Sequence, residues 1–457
     1  MTIFRTIFQW FLDAASDSRK GIRDVVVLMI PQGVAVIAAF LSTVLIARGL
    51  GTAGLGRYAL VLSVSGIAAS LSDLGIGQTA IRFASRAAAT GDRDGQMAVL
   101  RWAFRLRMML AFLVTLAFIL AAPVLADQIW HAPDLTPLIR ISLIGGIFTA
   151  LASVPTIYFQ SLKQFGTNAR INVAQTLISL LGIGIIAATG AWSVYLVIVV
   201  SLIASVIGAV VFLFSVPRVA LVGRAVLANT ARGVMRKVWM NPVQSDTAAQ
   251  LQDNDTPTTF VRYNLASTVI VLVILRLDVW LMKVFLDEST IGIYHVATRF
   301  ATPLTILLTA IGGALWPRAS SHVALDDIRE LIRKTFRLSA AAGILAAVYA
   351  ITVPILAPMF FGSAYAGSTF LGQILCLRYA FAIVIAPIGV IGYSLGMVRI
   401  YWLINLVQLA IVCIINIVFL PTLGPLASAL ALLANELVGV LLAGTIVWRK
   451  ISSSQAS

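Results

Sequence analysis

The sequence predicts an all-α integral membrane protein of about twelve transmembrane helices, arranged as two six-helix lobes. Three observations carry this. Of 457 residues 60% are hydrophobic and only 11% are charged, and the mean hydropathy is +0.97, far outside the range of a soluble domain. Apolar runs long enough to cross the hydrocarbon core, about 20 residues as a helix, recur along the whole chain. Patterns from the first half also return, in order, in the second. The strict alternation of a membrane barrel is missing.

In residues 1–24, Ile3, Phe4, Ile7, Phe8, Phe11 and Leu12 recur at helical spacing beside Arg5, Trp10 and Asp13. This predicts an interfacial amphipathic helix rather than a signal peptide. The first lobe, 25–217, opens with an uncharged run between Asp24 and Arg48. A Gly-rich turn over 48–57 follows, and a second helix returns through Tyr58 to about Ile81. Residues 82–107 are rich in Arg and read as a cytoplasmic connector. Helix three covers roughly Met108 to Ala126, an outer loop runs from Asp127 to Pro137, and helix four ends near Leu162. The uncharged run from Ile171 to Pro217 is divided by Gly190-Ala191-Trp192-Ser193 into spans five and six, with Trp192 at the interface.

Residues 218–262 begin basic, turn polar and lose helical periodicity, which predicts a cytoplasmic linker. The second lobe, 263–448, starts with helices seven and eight around a polar connection, Asp287 to Thr290. A basic connector over 318–337 follows. The next run is broken by Pro354, Pro358 and a turn at 362–368. Helix ten continues to about Leu395 and helix eleven to Leu420. An outer turn spans Pro421 to Pro425, and helix twelve leads to the cytoplasmic tail, 449–457.

The net charge of +15 has a topological cause. Most Lys and Arg fall in the predicted inner segments. Arg48, Arg57, Arg140 and Lys283 lie at outer ends, while Arg276, Arg299 and Arg378 lie within helices. This positive-inside bias puts both termini in the cytoplasm and calls for no nucleic acid. Cys376 and Cys413 sit in apolar runs without metal or disulfide spacing.

The repeat is read from three matches. Gly56-Arg57-Tyr58 returns 236 residues later as Gly292-Ile293-Tyr294, Arg82 returns at the same offset as Arg318, and Ser161-Leu162 returns as Ser394-Leu395. Six spans per half preserve orientation, so the halves form a parallel repeat.

Short outer loops leave no room for a catalytic domain, and Walker A, HExxH and GxSxG patterns are missing from the sequence. The protein is therefore expected to be a non-enzyme without a cofactor. What it does carry is charge inside helices, at about 2.5 kcal/mol or more per residue. Arg299, about eight residues or roughly 12 Å into helix eight, is either a cavity-facing anion site or the partner of Asp278. Arg276 and Asp278 are two apart and point to different faces, so one can face a cavity while the other ties helices. Arg378 and Glu436 are expected to pair within the second lobe; an unpaired Glu436 would instead be an H+ or Na+ site. Asp73, toward the inner half of helix two, is expected to bond a neighbouring helix. Arg48 and Arg57 complete the cavity candidates. Asn405, Gln408 and Asn416 form a polar stripe expected to join helices.

Residues 41–58 (LSTVLIARGLGTAGLGRY) and 72–83 (SDLGIGQTAIRF) resemble the opening of Wzx-type polysaccharide-unit flippases. Those belong to the MOP superfamily with the MATE drug exporters and the lipid II flippases. Residues 276–282 (RLDVWLM), 292–294 (GIY) and 316–318 (WPR) look like the matching start of the second half. The resemblance implies a MOP/MATE-like fold with a central cavity lined chiefly by helices one, two, seven and eight. It also implies an undecaprenyl-diphosphate-linked oligosaccharide substrate moved to the outer leaflet of the bacterial inner membrane by alternating access. Coupling to H+ or Na+ stays open, and polysaccharide polymerase and export machinery are possible partners. A cation-coupled multidrug exporter of the MATE type is the alternative, kept alive by Asp73, Asp278 and Glu436.

Overall fold

The computed structural model describes residues 19–89, 91–162, 165–215, 257–321, 325–394 and 398–453, which are built of helices joined by short turns. In chain order these are α1 (Arg19–Asp73), α2 (Ile76–Ala89), α3 (Arg93–Pro123), α4 (Leu135–Ser161), α5 (Phe165–Thr189) and α6 (Val194–Phe214). Then come α7 (Pro257–Phe285), α8 (Glu288–Ser321), α9 (Leu325–Phe361), α10 (Ser368–Ser394), α11 (Val398–Leu423) and α12 (Pro425–Ser453). Two compact units divide the chain: Arg23–Met240 carries α1 to α6, and α7 to α12 fall in Asn241–Ser457. The division falls within the linker expected at 218–262, of which 218–256 lie outside the described residues. The interfacial helix expected over 1–24 also lies, up to residue 18, outside them.

Among the described residues, eleven helices are long and apolar enough to cross a membrane. The first, Gly33–Asp73, has 41 residues, about 60 Å at 1.5 Å per residue, or twice the roughly 30 Å hydrocarbon core. It is interrupted at Gly51, with φ 70° and ψ −177°, a conformation that glycine alone adopts without steric cost. That run therefore supplies two crossings, which makes twelve among the described residues.

The repeat reappears in the element bounds. Helices α4 and α10 each have 27 residues, and their first and last residues are both 233 apart. The break at Gly51 corresponds, at 236 residues, to the turn at Asp287. Gly190 before α6 and Gly424 before α12 both have positive φ, 68° and 57°. Helix directions repeat too. In the first unit Arg57 pairs with Asp134, and eight residues further along both strands of chain Ser142 bonds Ser65. The second half of α1 thus runs parallel to α4. In the second unit Gly367 packs on Ile293 and Gly372 on Ala297, so α8 runs parallel to α10 in the same way.

Packing within each unit follows the rules of a lipid-surrounded bundle. Small residues and a few hydrogen bonds join helices, while large apolar side chains such as Phe214, Ile351 and Leu441 stay exposed toward lipid. Ile76, Ala80 and Ala84 recur every fourth residue along α2 and pack on Val99, Leu100 and Ala103 of α3, with Ile157 and Phe212 closing the cluster. Gln96 donates to Ser161 at 2.9 Å across α3 and α4. The stripe on α11 joins helices: Asn405 donates to Ser267 of α7, Gln408 to the Asn435 carbonyl at 2.8 Å, and Ser428 to Asn416.

Several boundaries differ from those the sequence predicts, and the causes are physical. The Arg-rich stretch 82–107 is mostly helical, in α2 and the start of α3, because a charged helix outside the core costs nothing and shows no apolar signal. Helix two does not reach Ile81. Leu74 (φ 38°) and Gly75 (φ 80°) end it at Asp73, whereas α8 continues unbroken through the matching positions. The outer loop expected at 127–137 shrinks, because a π-helical turn carries the chain to Ile129 and α4 starts at Leu135. Pro354 and Pro358 lie inside α9, and Pro421 inside α11, since neighbouring helices tolerate such prolines in a membrane bundle.

The turn between α7 and α8 is closed by a cap. The Asp287 carboxylate accepts from the Thr290 hydroxyl and from the backbone N–H groups of Ser289 and Thr290. These bonds, the Thr290 hydroxyl first, hold Asp287 below its ordinary carboxylate range. The lowered value means that its stabilisation is fully present above that range and is lost as the pH falls through the folded-state value. Asp287→Ala should cost about 1 kcal/mol, read as a lower melting temperature at neutral pH that merges with the parent's curve in acid.

Candidate functional site

Three charged side chains of the second unit lie at similar distances along helices α8, α10 and α12. Arg299 lies eleven residues past Glu288, Arg378 ten past Ser368 and Glu436 eleven past Pro425. At 1.5 Å per residue each is about 15–16 Å along its helix, half the hydrocarbon thickness. Arg299 is therefore deeper than the roughly 12 Å expected from the sequence, because α8 begins at Glu288.

Arg378 donates to Glu436 Oε1 through Nε at 3.3 Å and Nη2 at 3.1 Å. Its guanidinium also lies 5.0 Å from the centroid of the Tyr379 ring. The pair sits between α10 and α12 and is mostly buried. Two charges removed from water need this mutual proximity to hold.

Asp278 is buried on α7 and has a different partner from the one sequence reasoning offered. Its carboxylate accepts from the Tyr294 hydroxyl at 2.7 Å and from the Val279 N–H at 2.7 Å. Tyr294 is fully buried. The hairpin explains the pairing: Asp278 is seven residues before the end of α7 and Tyr294 six after the start of α8, so antiparallel helices bring them level. Arg299 is too deep for Asp278 and faces instead His295, one turn earlier, with Nη2 2.9 Å from Nε2. A guanidinium only donates, so His295 Nε2 accepts and the imidazole is neutral there. Arg276, two residues from Asp278, is on the exposed side of α7. Lys283 and Glu288 tie the α7–α8 turn at 3.1 Å.

In the first unit the candidate charges sit at the ends. Arg48 is exposed, and Arg57 pairs with Asp134 at 2.8 Å. Asp73 is not in mid-bilayer. It ends α1, accepts from Arg107 Nη1 at 2.6 Å and from the Gly77 N–H at 3.1 Å, and so caps the break at Leu74–Gly75. Residues that sequence reasoning missed are Tyr294, His295 as Arg299's neighbour, Arg107 and Asp134. Similar distance from the Asp287 turn, nine residues before it and seven after, was the signal that could have found Tyr294. No sequence signal marks Arg107, 34 residues from Asp73 and read as part of a connector.

The repeat separates what the fold requires from what was added. Arg378 is the eleventh residue of α10, and the eleventh of α4 is Gly145. Glu436 lies twelve residues after Gly424, and Leu202 twelve after Gly190. In the first unit Gly145 and Leu202 are in contact, so the same helix crossing that is ionic in the second copy is apolar in the first. The fold does not demand an ion pair there.

Residues 22–323 match the family described as polysaccharide biosynthesis protein. No curated protein matches the chain. Among solved structures, an inward-facing multidrug resistance MATE family transporter of the MOP superfamily aligns at TM-score 0.71 with 13% identity, covering 95% of this chain and 99% of that one. The lipid II flippase MurJ, in an inward closed conformation, aligns at TM-score 0.67 with 12% identity over 92% and 86% of the two chains. A MOP superfamily transporter from Pyrococcus furiosus, whose binding pocket is described as reversed in polarity, aligns at TM-score 0.53 with 16% identity over 94% and 96%. At these identities the solved structures establish the fold alone, while the family match spans most of the chain. The chain belongs to the polysaccharide biosynthesis protein family, the Wzx-type flippases, and has the fold of the MOP superfamily.

Proposed function

We propose that the protein moves undecaprenyl-diphosphate-linked oligosaccharide units from the inner to the outer leaflet of the bacterial inner membrane by alternating access, for O-antigen, capsule or exopolysaccharide assembly. The single observation that supports this substrate class is Arg299, a permanent cation about 16 Å along α8. A diphosphate crossing a bilayer needs cationic, hydrogen-bonding surroundings, and a guanidinium offers them in bidentate geometry. Arg276 on the exposed side of α7 adds a second cation at neighbouring depth.

A drug exporter that handles cations would instead need carboxylates available at depth. Here Glu436 faces Arg378, Asp73 faces Arg107 and Asp278 accepts from Tyr294. The energy would come from an H+ or Na+ gradient, and a polymerase with its export machinery would take over the delivered units. Both termini would lie in the cytoplasm, following the basic connectors.

Deleting the gene should abolish the surface polysaccharide and make a lipid-linked intermediate accumulate on the cytoplasmic face, identified by mass spectrometry of extracted lipids. Unchanged surface polysaccharide in the deletion strain would overturn the reading.

A further inference from the structure

The Trp192 end of the first unit differs from its counterpart in the second copy. A cavity of about 330 Å³ opens there, lined by Gly49, Ala53, Gly54, Arg57, Trp192 and Ser193 among others. This is at the lower end of the roughly 300–1,000 Å³ of small-molecule sites. The Trp192 ring lies so close to Gly49 that a Cβ there would overlap it. Arg57, about half exposed, is held by Asp134 at 2.8 Å. At an offset of 236 residues, Gly49, Gly54 and Arg57 correspond to Phe285, Thr290 and Ile293. Trp192, two residues after Gly190, corresponds to Leu426, two after Gly424. At the matching positions the second copy carries Phe285, Thr290, Ile293 and Leu426, where the first lines a cavity with an indole, a guanidinium and a hydroxyl.

The chemistry of the lining selects the ligand. An indole presents a flat apolar face suited to the C–H face of a sugar ring. Arg57, held in place by Asp134, offers N–H donors to the cavity, and the Ser193 hydroxyl both donates and accepts, matching hydroxyl groups that do the same. Because the pair is neutral in sum, it gives no net attraction to an anion. The position also fits: this end carries the few outer cations and lies opposite the Arg-rich connectors, on the outer side by the positive-inside rule.

We propose that this cavity is a saccharide subsite, which holds a sugar ring of the substrate at the outer end of the first unit while the diphosphate is held elsewhere. The proposal rests on the lipid-linked oligosaccharide reading above and adds to it a place for the sugar. The subsite lets the neutral, hydrated part of the substrate be recognised apart from its charged part, so specificity for the sugar resides in the first unit.

The test is complementation of the deletion strain with three variants, with surface polysaccharide and membrane-inserted protein both quantified. Ala53 is exposed on the cavity wall, so Ala53→Leu fills the space without removing a contact. Ala53→Leu and Trp192→Leu should each lower surface polysaccharide several-fold at unchanged protein level, and Trp192→Phe, which keeps an aromatic face, should lie between them and the parent. A second readout is independent of folding in the Trp192 variants. Ala53→Cys, in a chain lacking the two native cysteines, is labelled from outside by a membrane-impermeant maleimide. Labelling should be several-fold slower in cells that make the lipid-linked intermediate than in cells whose first glycosyl transfer is blocked. If deletion itself leaves the polysaccharide intact, the flippase reading fails. If deletion abolishes it while Ala53→Leu retains parental polysaccharide and labelling is equal in both cell types, the subsite alone fails.

Discussion

Glu436→Leu should destabilise the protein by about 3–5 kcal/mol, because it leaves Arg378 buried against an apolar neighbour with its charge uncompensated. Across a unit of some 200 residues this is a fall of roughly 6–20 °C in melting temperature. The double variant Arg378→Met/Glu436→Leu should recover most of that loss, since a buried ion pair can be replaced by apolar side chains of similar volume at little cost. The first unit already contains that solution: Gly145 and Leu202 meet at the matching crossing without charge. Thermal unfolding of purified protein measures the recovery, and complementation of the deletion strain measures transport. The expected result is restored stability with surface polysaccharide still lost, which would assign the pair to transport. Recovery of both would make it a packing element.

How far the sequence anticipates this arrangement depends on the kind of signal each feature leaves. Crossings and duplication are legible, because burial in lipid forces long apolar runs and a duplicated chain repeats their spacing. The 233-residue spacing of Ser161 and Ser394 even anticipates the equal bounds of α4 and α10. Helix ends are less legible where the helix leaves the core. Charged turns of α2 and α3 look like a loop in hydropathy, and prolines 354 and 358 look like breaks although neighbouring helices sustain α9 through them.

The charged residues follow the same division. Arg378 and Glu436 can be matched because both are deep in the same half and an isolated charge there is costly. Asp278 has Arg299 as the cation that the sequence offers it, yet its partner is a tyrosine set by the geometry of the α7–α8 turn. Asp73 and Arg107 pair across an irregular break that no periodicity announces. Depth along a helix is readable from sequence; the direction in which a side chain leaves it is only partly so.

Arg299→Ala should abolish surface polysaccharide in the complemented deletion strain while leaving the amount of folded protein in the membrane unchanged. Removing a guanidinium that donates to a diphosphate oxygen forfeits about 1.5–3 kcal/mol per charge-assisted bond, or roughly a 10- to 150-fold loss of affinity for one bond. Arg299→Lys keeps the charge but replaces the planar donor fork with a point charge, so its export should fall between the two. His295 sharpens the test, because it receives a hydrogen bond from Arg299 without carrying charge itself. His295→Gln keeps an acceptor within reach, so it should retain much of the export that Arg299→Ala loses. A purely structural Arg299 would behave differently. Its removal would lower the protein level and melting temperature together with export, as a broken buried contact does, and Arg299→Lys would fail to fold alongside it. Full export by Arg299→Ala would instead remove the cation from the substrate's path altogether and shift the phosphate-binding role to Arg276, on the exposed side of α7.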